Sequence, residues 1–457
     1  MSAFNFYAPR AITCLTDGQI KSIITKKPIV AISGASFVLL KNKFTEDKTM
    51  TKRIIALALA ALLSFAMLTA CGDKTPAGTD PAATDPAVSG STDANGGADE
   101  TKGTLIIGGI GPLTGAAAVY GINVKNGAQI AVDEINAAGG VNGYNLELKF
   151  QDDEHDPEKS VNAYNKLMDE GMQVLMGTVT SAPCVAVAAE ALKDNMFLLT
   201  PSGSAVECVA NPNAFRICFS DPNQGGASAD YIAEHKLATK IAVFYNVSDV
   251  YSSGIYEKFA AEASTKGLEI VTAQAFTKDS ATDFSVQIQK IKESGAELVF
   301  LPIYYQEASL FLEQASTAGL DVKYFGCDGL DGIIGQLDTK ANLAEGVMLL
   351  TPYVADSKEE KSAKFTASYR EQYGDTPIQF AADAYDAIYV IKAALEEANV
   401  TDPDIDHSAL SDALTAAMTK ITVDGVTGTM TWDESGEPTK TPKAMVIENG
   451  TYVSMDD

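Results

Sequence analysis

The residue pattern predicts an α/β protein built as two doubly wound parallel-sheet lobes with a ligand cleft between them. Three observations carry this. From Thr104 onward, short apolar runs alternate with longer amphipathic stretches, as parallel strands alternate with crossover helices. The alternation pauses around Phe215–Phe219 and restarts at Ile241, which divides it into two units of similar size. Several strand ends run straight into hydroxyl, aromatic or acidic residues, where ligands of open parallel sheets sit. Two such units imply a ligand held between them.

In the first unit, Leu105–Ile107 is a strand, followed by the Gly-rich segment Gly108–Gly115. A helix then runs to about Ala138, with Val124, Ala128, Ala131, Val132 and Ile135 at helical spacing, and Gly139-Gly140 ends it. Leu146–Phe150 is a strand, 157–170 a helix, 174–176 a strand, 182–193 a helix and 197–199 a strand. In the second unit, Ile241–Tyr245 is a strand, 253–266 a helix, Glu269–Phe276 a strand and 283–294 a helix. Leu298–Ile303 (strand), 307–318 (helix) and Lys323–Phe325 (strand) follow, then a strand at Val347–Leu350. Helices are expected near 358–373, 378–397 and 408–419, and extended chain at Gly428–Trp432 and Ala444–Ile447.

The stretch Gly177–Ser204 holds the most chemistry. Val174–Met176 and Phe197–Leu199 are apolar runs that each end in a cluster of small hydroxyl residues, Thr178-Val-Thr-Ser181 and Thr200-Pro-Ser-Gly-Ser204. Such pairs of strand ends meet a polar ligand in parallel sheets. Ser181 is expected to cap the following helix, with Pro183 in its first turn. The free N–H groups and the positive end of the helix dipole there suit a carboxylate. The other strand exits of interest are Gly111–Tyr120, Asn246–Tyr251, Tyr304-Tyr305 and Cys327-Asp328-Gly329. Tyr304 and Tyr305 are adjacent, so only one is expected to face the cleft.

Several function classes are disfavoured. Residues 1–70 hold nine Lys and Arg against three Asp and Glu, whereas the rest holds 25 against 57. An acidic body without a basic, aromatic-interleaved cluster does not fit nucleic acid. Gly109, Gly111 and Gly115 have the wrong spacing for a dinucleotide loop, Pro112 intrudes, and no acidic residue ends the next strand at the required distance. There is no nucleophile elbow and no phosphate loop, and no His stands beside a nucleophile, so neither catalysis nor a cofactor is expected. The acidic run Asp152–Asp156 matches neither calcium nor zinc spacing. It reads as a strand end followed by Asp156 capping a helix at Pro157. His235 and His407 lie among polar helix formers and are expected to be exposed. Cys208 and Cys218 flank a loop that they either close with a disulfide or leave as buried free thiols. Cys184 and Cys327 read as small core residues.

The N-terminus has its own organisation. Lys52-Arg53 precedes the apolar run Ile54–Ala70, and Leu68-Thr69-Ala70-Cys71 closes it. A charged start, an apolar middle and small residues before a cleavage point describe a secretion signal. The run is 17 residues long, short of the ~20 of a comfortable membrane span. Met50 stands where such a signal would begin, so residues 1–49 read as an upstream extension that is not translated. Residues 71–101, rich in Gly, Pro, Ser, Thr, Asp and Ala, cannot build a core. They read as a tether with an end-to-end distance of ~30 Å.

Two resemblances add to this. Leu68-Thr-Ala-Cys71 resembles the lipobox of bacterial lipoproteins, which implies a signal at 50–70 and lipidation of Cys71. Residues 102–455 resemble the leucine/isoleucine/valine-binding family of ABC-transporter solute-binding proteins. The matching phrases are Ile107-Gly-Gly-Ile-Gly-Pro-Leu-Thr-Gly115 with Tyr120-Gly121, Ala131-Val-Asp-Glu-Ile-Asn136 with Gly139-Gly-Val-Asn-Gly143, Asp152-Asp153 with Asp156-Pro157, Thr200-Pro201, Phe215-Arg216 and Asp221-Pro-Asn-Gln-Gly225. The implied fold is the type I periplasmic binding protein, with lobe one from 102–222 and 353–430 and lobe two from 223–352 and 431–457. The resemblance also assigns roles: Ser181 and Ser204 to a ligand carboxylate, the Ser202 backbone carbonyl and Asp328 to its ammonium, Thr180 to the pocket lining, and Tyr120, Tyr251, Tyr304 and Phe380 to aromatic walls. His155 and Thr180 stand where some relatives hold a disulfide pair, so that staple is missing. Asp328 is one methylene shorter than the Glu common there.

The implied function is a monomeric, lipid-anchored protein on the extracytoplasmic face of the cell membrane. It would capture a small amino acid, branched-chain by resemblance, through hinge closure and deliver it to an ABC permease. A short amide or urea as ligand, and a sensing module reporting to a membrane partner, are the competing readings.

Overall fold

The computed structural model describes residues 102–455. The readings of residues 1–49, of the signal at 50–70, of Cys71 and of the tether at 71–101 therefore lie outside the described residues. Within them the chain folds into two α/β lobes with predominantly parallel sheets, as the apolar alternation predicts.

The first sheet contains β1 (Thr104–Gly111), β2 (Asn145–Asp152), β3 (Val174–Gly177), β4 (Leu198–Thr200) and β5 (Ala214–Arg216). They are ordered β2-β1-β3-β4-β5 and pair in parallel throughout. Three crossover helices link its first four strands: α1 (Ala118–Ala137), α2 (Pro157–Asp169) and α3 (Ser181–Lys193). Asp156 caps α2 through its carboxylate, which accepts from the Glu158 and Lys159 N–H groups, and Pro157 opens the helix. The acidic run is thus accounted for by turns and a cap: Asp152 accepts from Leu113 and Glu154 N–H, and Asp153 from His155 N–H.

A helix follows β5 that the pattern reading lacks, α4 (Asp221–Glu234). Its sequence is rich in Gly, Ser and Ala, so the contrast between its faces is weak and the helical period is hard to see. Then come β6 (Lys240–Asn246), α5 (Val250–Thr265), β7 (Glu269–Phe276), α6 (Ser285–Ser294), β8 (Leu298–Leu301), α7 (Tyr305–Thr317), β9 (Lys323–Gly326), the short α8 (Ile333–Leu337) and β10 (Met348–Thr351).

Three helices, α9 (Glu360–Tyr373), α10 (Gln379–Glu397) and α11 (His407–Met418), return the chain to the first lobe, where α10 packs along α1 and α11 meets β3. A small hairpin, β11 (Val423–Gly425) and β12 (Gly428–Met430), precedes β13 (Lys443–Glu448) and β14 (Thr451–Ser454). The last two join the second sheet as antiparallel strands, giving the order β14-β13-β10-β9-β8-β6-β7. The expected extended tail is therefore split between a hairpin and the edge of the second sheet.

The central strands are apolar and largely buried, whereas the edge strands β2 and β7 are mostly part-exposed. Every residue of β3, β8 and β10 is buried, as expected where helices cover both faces of a sheet. The contact between α1 and α10 is close enough to require a glycine: a Cβ at Gly127 would lie 2.0 Å from the Ala381 carbonyl oxygen. Gly127→Ala is expected to destabilise the fold by about 1–3 kcal/mol through overpacking. Gly335→Ala in α8, where a Cβ meets nothing within 4 Å, should be neutral or stabilising by up to ~1 kcal/mol. Urea denaturation of the two variants checks the contrast.

Candidate functional site

Strands β3 and β4 are neighbours in the first sheet, so the hydroxyl clusters that follow them converge. The two ends are stitched to each other. Thr200 Oγ1 donates to Thr178 O at 2.6 Å and accepts from Gly203 N–H at 2.7 Å, and Ser202 Oγ donates to Val179 O at 2.6 Å.

Ser181 does not cap α3, contrary to expectation. Thr180 occupies the cap position in extended conformation, Ser181 is the first helical residue, and no side chain caps the helix. The Ser181 hydroxyl is engaged across the loop, accepting from the N–H groups of Ser204 at 3.2 Å and Ala205 at 3.1 Å. It lies 3.4 Å from Ser204 Oγ. Pro183 sits in the first turn as predicted. The helix start thus presents N–H groups with no side-chain acceptor, next to two hydroxyls, an arrangement suited to an anion.

The opposite chemistry follows β9. Asp328 is 4% exposed, and its Oδ1 accepts from Tyr251 Oη at 2.8 Å. The same Tyr251 hydroxyl accepts from Gly329 N–H at 3.0 Å. A Cβ at Gly329 would fall 2.5 Å from that oxygen, so glycine is what allows the approach. The backbone on either side of the carboxylate is fixed too: Asp328 N–H donates to Gln224 Oε1 at 3.2 Å and Asp328 O accepts from Gln379 Nε2 at 2.9 Å. Burial pushes the Asp328 carboxyl up to about 7, against the opposing hydrogen bond from Tyr251.

Val179, Thr180, Ser181, Ser202, Ser204, Tyr251, Tyr304, Asp328 and Phe380 line one small cavity. About 10 Å³ of it is open in this structure, room for about one water molecule. Eight of the nine residues singled out from the sequence are brought together here. Tyr120 is the exception. It is fully buried one layer back, stacked on Phe380 at 4.1 Å between ring centroids. Its hydroxyl donates to Gly329 O at 2.6 Å and accepts from Tyr305 N–H at 3.1 Å. Tyr120 braces the wall and ties the start of α1 to the strand ends of the second sheet. Of the adjacent tyrosines, Tyr304 lines the cavity and Tyr305 packs edge-on against Tyr120.

Residues that the sequence reading missed are Val179, in the lining, and the supports Gln224, Gln379 and Arg216. Asp221–Gly225 is one of the phrases that carry the family resemblance, which assigns it no role. Its signal was the run of polar residues at a helix start, where Gln224 reaches Asp328 and Asp221 N–H donates to Ser204 O at 2.9 Å. Arg216, fully buried, donates from Nη1 to Gly203 O at 3.0 Å and from Nη2 to Ala205 O at 2.9 Å.

The four cysteines among the described residues are buried and free. Cys208 does not close the loop with Cys218; its thiol faces the Ser181 carbonyl oxygen at 3.7 Å, which sends it under α3. His235 is exposed, whereas His407 is half-buried with Nε2 3.1 Å from Asp194 O.

Residues 104–450 match the family model described as periplasmic binding protein. The Leu/Ile/Val-binding protein homolog 3 of Brucella melitensis is 31% identical over 335 residues, covering 73% of this chain and 88% of that protein. The leucine-, isoleucine-, valine-, threonine-, and alanine-binding protein of Pseudomonas aeruginosa is 30% identical, covering 72% and 85%. Among solved structures, the branched-chain amino acid transporter substrate binding protein of Streptococcus pneumoniae, in complex with isoleucine, superposes with a TM-score of 0.69 at 27% identity, covering 77% of this chain and 99% of that one. The leucine binding protein of Thermotoga maritima superposes with 0.70 at 26% identity, covering 77% and 97%.

Proposed function

This chain belongs to the periplasmic binding protein family of extracytoplasmic, non-catalytic solute-binding modules, which close about a hinge on a small molecule, and from that premise we propose that its ligand is a small amino acid, branched-chain in the first instance. The observation that carries this reading is the shared cavity of Ser181, Ser204 and Asp328. A zwitterion loses water at both ends on entering a closed cleft, so each end needs a partner. Hydroxyl and helix N–H donors serve the carboxylate, and the Asp328 carboxylate serves the ammonium. Val179, Tyr251, Tyr304 and Phe380 supply apolar surface for the side chain. The relatives named for leucine, isoleucine and valine support the same choice.

In this reading lobe one comprises 102–222 and 353–430 and lobe two the remainder, and a monomer delivers its ligand to an ABC permease. Cys71 carries the lipid that holds it to the membrane. Intact-mass analysis of the membrane-extracted protein tests the anchor; a chain that begins elsewhere than Cys71 removes it.

A thermal-shift screen across the amino acids, short amides and urea, followed by calorimetry on the hits, tests the ligand class. A ligand present at 100 times its Kd should add about 2.7 kcal/mol of stability. Leucine, isoleucine or valine among the strongest hits is the expected result. A response to amides or urea alone would replace the amino-acid reading.

A further inference from the structure

We propose that His155 is a positioning residue for the ligand carboxylate, holding the Thr180 hydroxyl so that its proton points into the cavity. The inference rests on the amino-acid reading above and extends it to a residue outside the lining. His155 Nδ1 lies 2.8 Å from Thr180 Oγ1, and Thr180 lines the cavity. A hydroxyl has one proton. If the imidazole carries its own proton on Nε2, Thr180 must donate to Nδ1 and offers the cavity only lone pairs. If the proton is on Nδ1, Thr180 accepts from His155 and is free to donate forward.

The second arrangement matches its neighbour. Ser181 Oγ already accepts two backbone N–H groups, from Ser204 and Ala205, so its one proton is left to donate, to a ligand in the cavity or to Ser204 Oγ at 3.4 Å. A carboxylate is an acceptor only, so a wall that accepts at the back and donates at the front is complementary to it.

The placement of His155 is also unusual. Glu154 and His155 both have positive φ, 50° and 58°, a conformation that non-glycine residues adopt at a cost. That turn is secured by His155 N–H donating to Asp153 Oδ1 at 2.9 Å, and it delivers the ring to Thr180. The imidazole also packs against Tyr304 in a T-shaped pair, with centroids 5.5 Å apart, so His155 links the first-lobe wall to an aromatic of the second. Burial, with Lys278 nearby, lowers the imidazole to about 4, which keeps it neutral and makes the tautomer the deciding variable.

The test has two independent arms. Long-range ¹H–¹⁵N spectra of the labelled protein report the tautomer of each histidine, and with three histidines in the chain the His155 signals are assigned by their loss in His155→Ala. A protonated Nδ1 is expected, and a protonated Nε2 overturns the proposal. In calorimetry, His155→Ala and Thr180→Val should each weaken amino-acid binding by about tenfold, and the double variant should be no weaker than Thr180→Val alone. Additive losses overturn the proposal. Absence of amino-acid binding by the unmodified protein would overturn the ligand reading instead, and the tautomer arm would still decide the orientation of Thr180.

Discussion

Asp328→Asn is expected to weaken amino-acid binding by about 100-fold or more, with little change in the fold. The substitution keeps size and the capacity to accept from Tyr251, which approaches Oδ1 at 2.8 Å. It removes the negative charge that an ammonium requires once water is excluded, and stranding one member of a buried charge pair costs about 2–5 kcal/mol. Titration calorimetry of the variant against the unmodified protein checks this. Affinity within threefold of the original would take Asp328 out of the site.

The same carboxylate predicts a pH dependence. In the ligand-free cleft burial holds it at about 7. An arriving ammonium favours the ionised form, so the bound-state pKa lies lower. Affinity should be fully developed above pH 7. It should fall below that, by up to about tenfold per pH unit, because a proton must leave Asp328 before the pair forms. Asp328→Asn should abolish the slope. A profile that is flat between pH 5 and 8 in the unmodified protein would contradict this assignment.

Arg216→Met is expected to destabilise the protein by about 3–5 kcal/mol, the scale of breaking a buried ion pair by removing one partner. Arg216 is fully buried. Its Nη2 pairs with Glu437 at 3.2 Å, while the guanidinium holds the carbonyls on either side of Ser204. Its backbone is also committed, accepting from Trp432 Nε1 at 2.8 Å and donating to Gly436 O at 3.1 Å. A methionine fills most of the volume but leaves two carbonyls and a partly buried carboxylate without their donor. Urea denaturation measures the loss. A change below 1 kcal/mol would show that the loop and the 432–437 segment hold without the guanidinium.

Much of the site was legible because its residues sit at the C-terminal ends of apolar runs, where the parallel-sheet pattern itself points to ligands. Thr180, Ser181, Ser202 and Ser204 follow β3 and β4, Tyr304 follows β8 and Asp328 follows β9. Their roles came from the family resemblance, and the structure gathers all six around one hollow. Phe380 is different: nothing in its helical spacing separates it from core, and only its position in the family resemblance singles it out. Tyr120 shows the limit of that transfer. It is an aromatic at the matching position, yet its hydroxyl is committed to Gly329 O and Tyr305 N–H, and it stands behind the lining.

Local order by itself determined the alternation of strands and helices, the division into two units, and the strand ends at which small hydroxyl, aromatic and acidic residues collect. Those are consequences of side-chain period and of small hydroxyl residues placed after apolar runs. Tertiary structure alone decided that Thr180 rather than Ser181 takes the cap position, that Cys208 turns toward Ser181, that Tyr120 braces instead of lining, and that Arg216 and Gln224 hold the site from outside. Each of those outcomes turns on a hydrogen bond between groups that the chain brings together only after crossing from one strand or lobe to another, and such a partner leaves no period or motif beside the residue it engages.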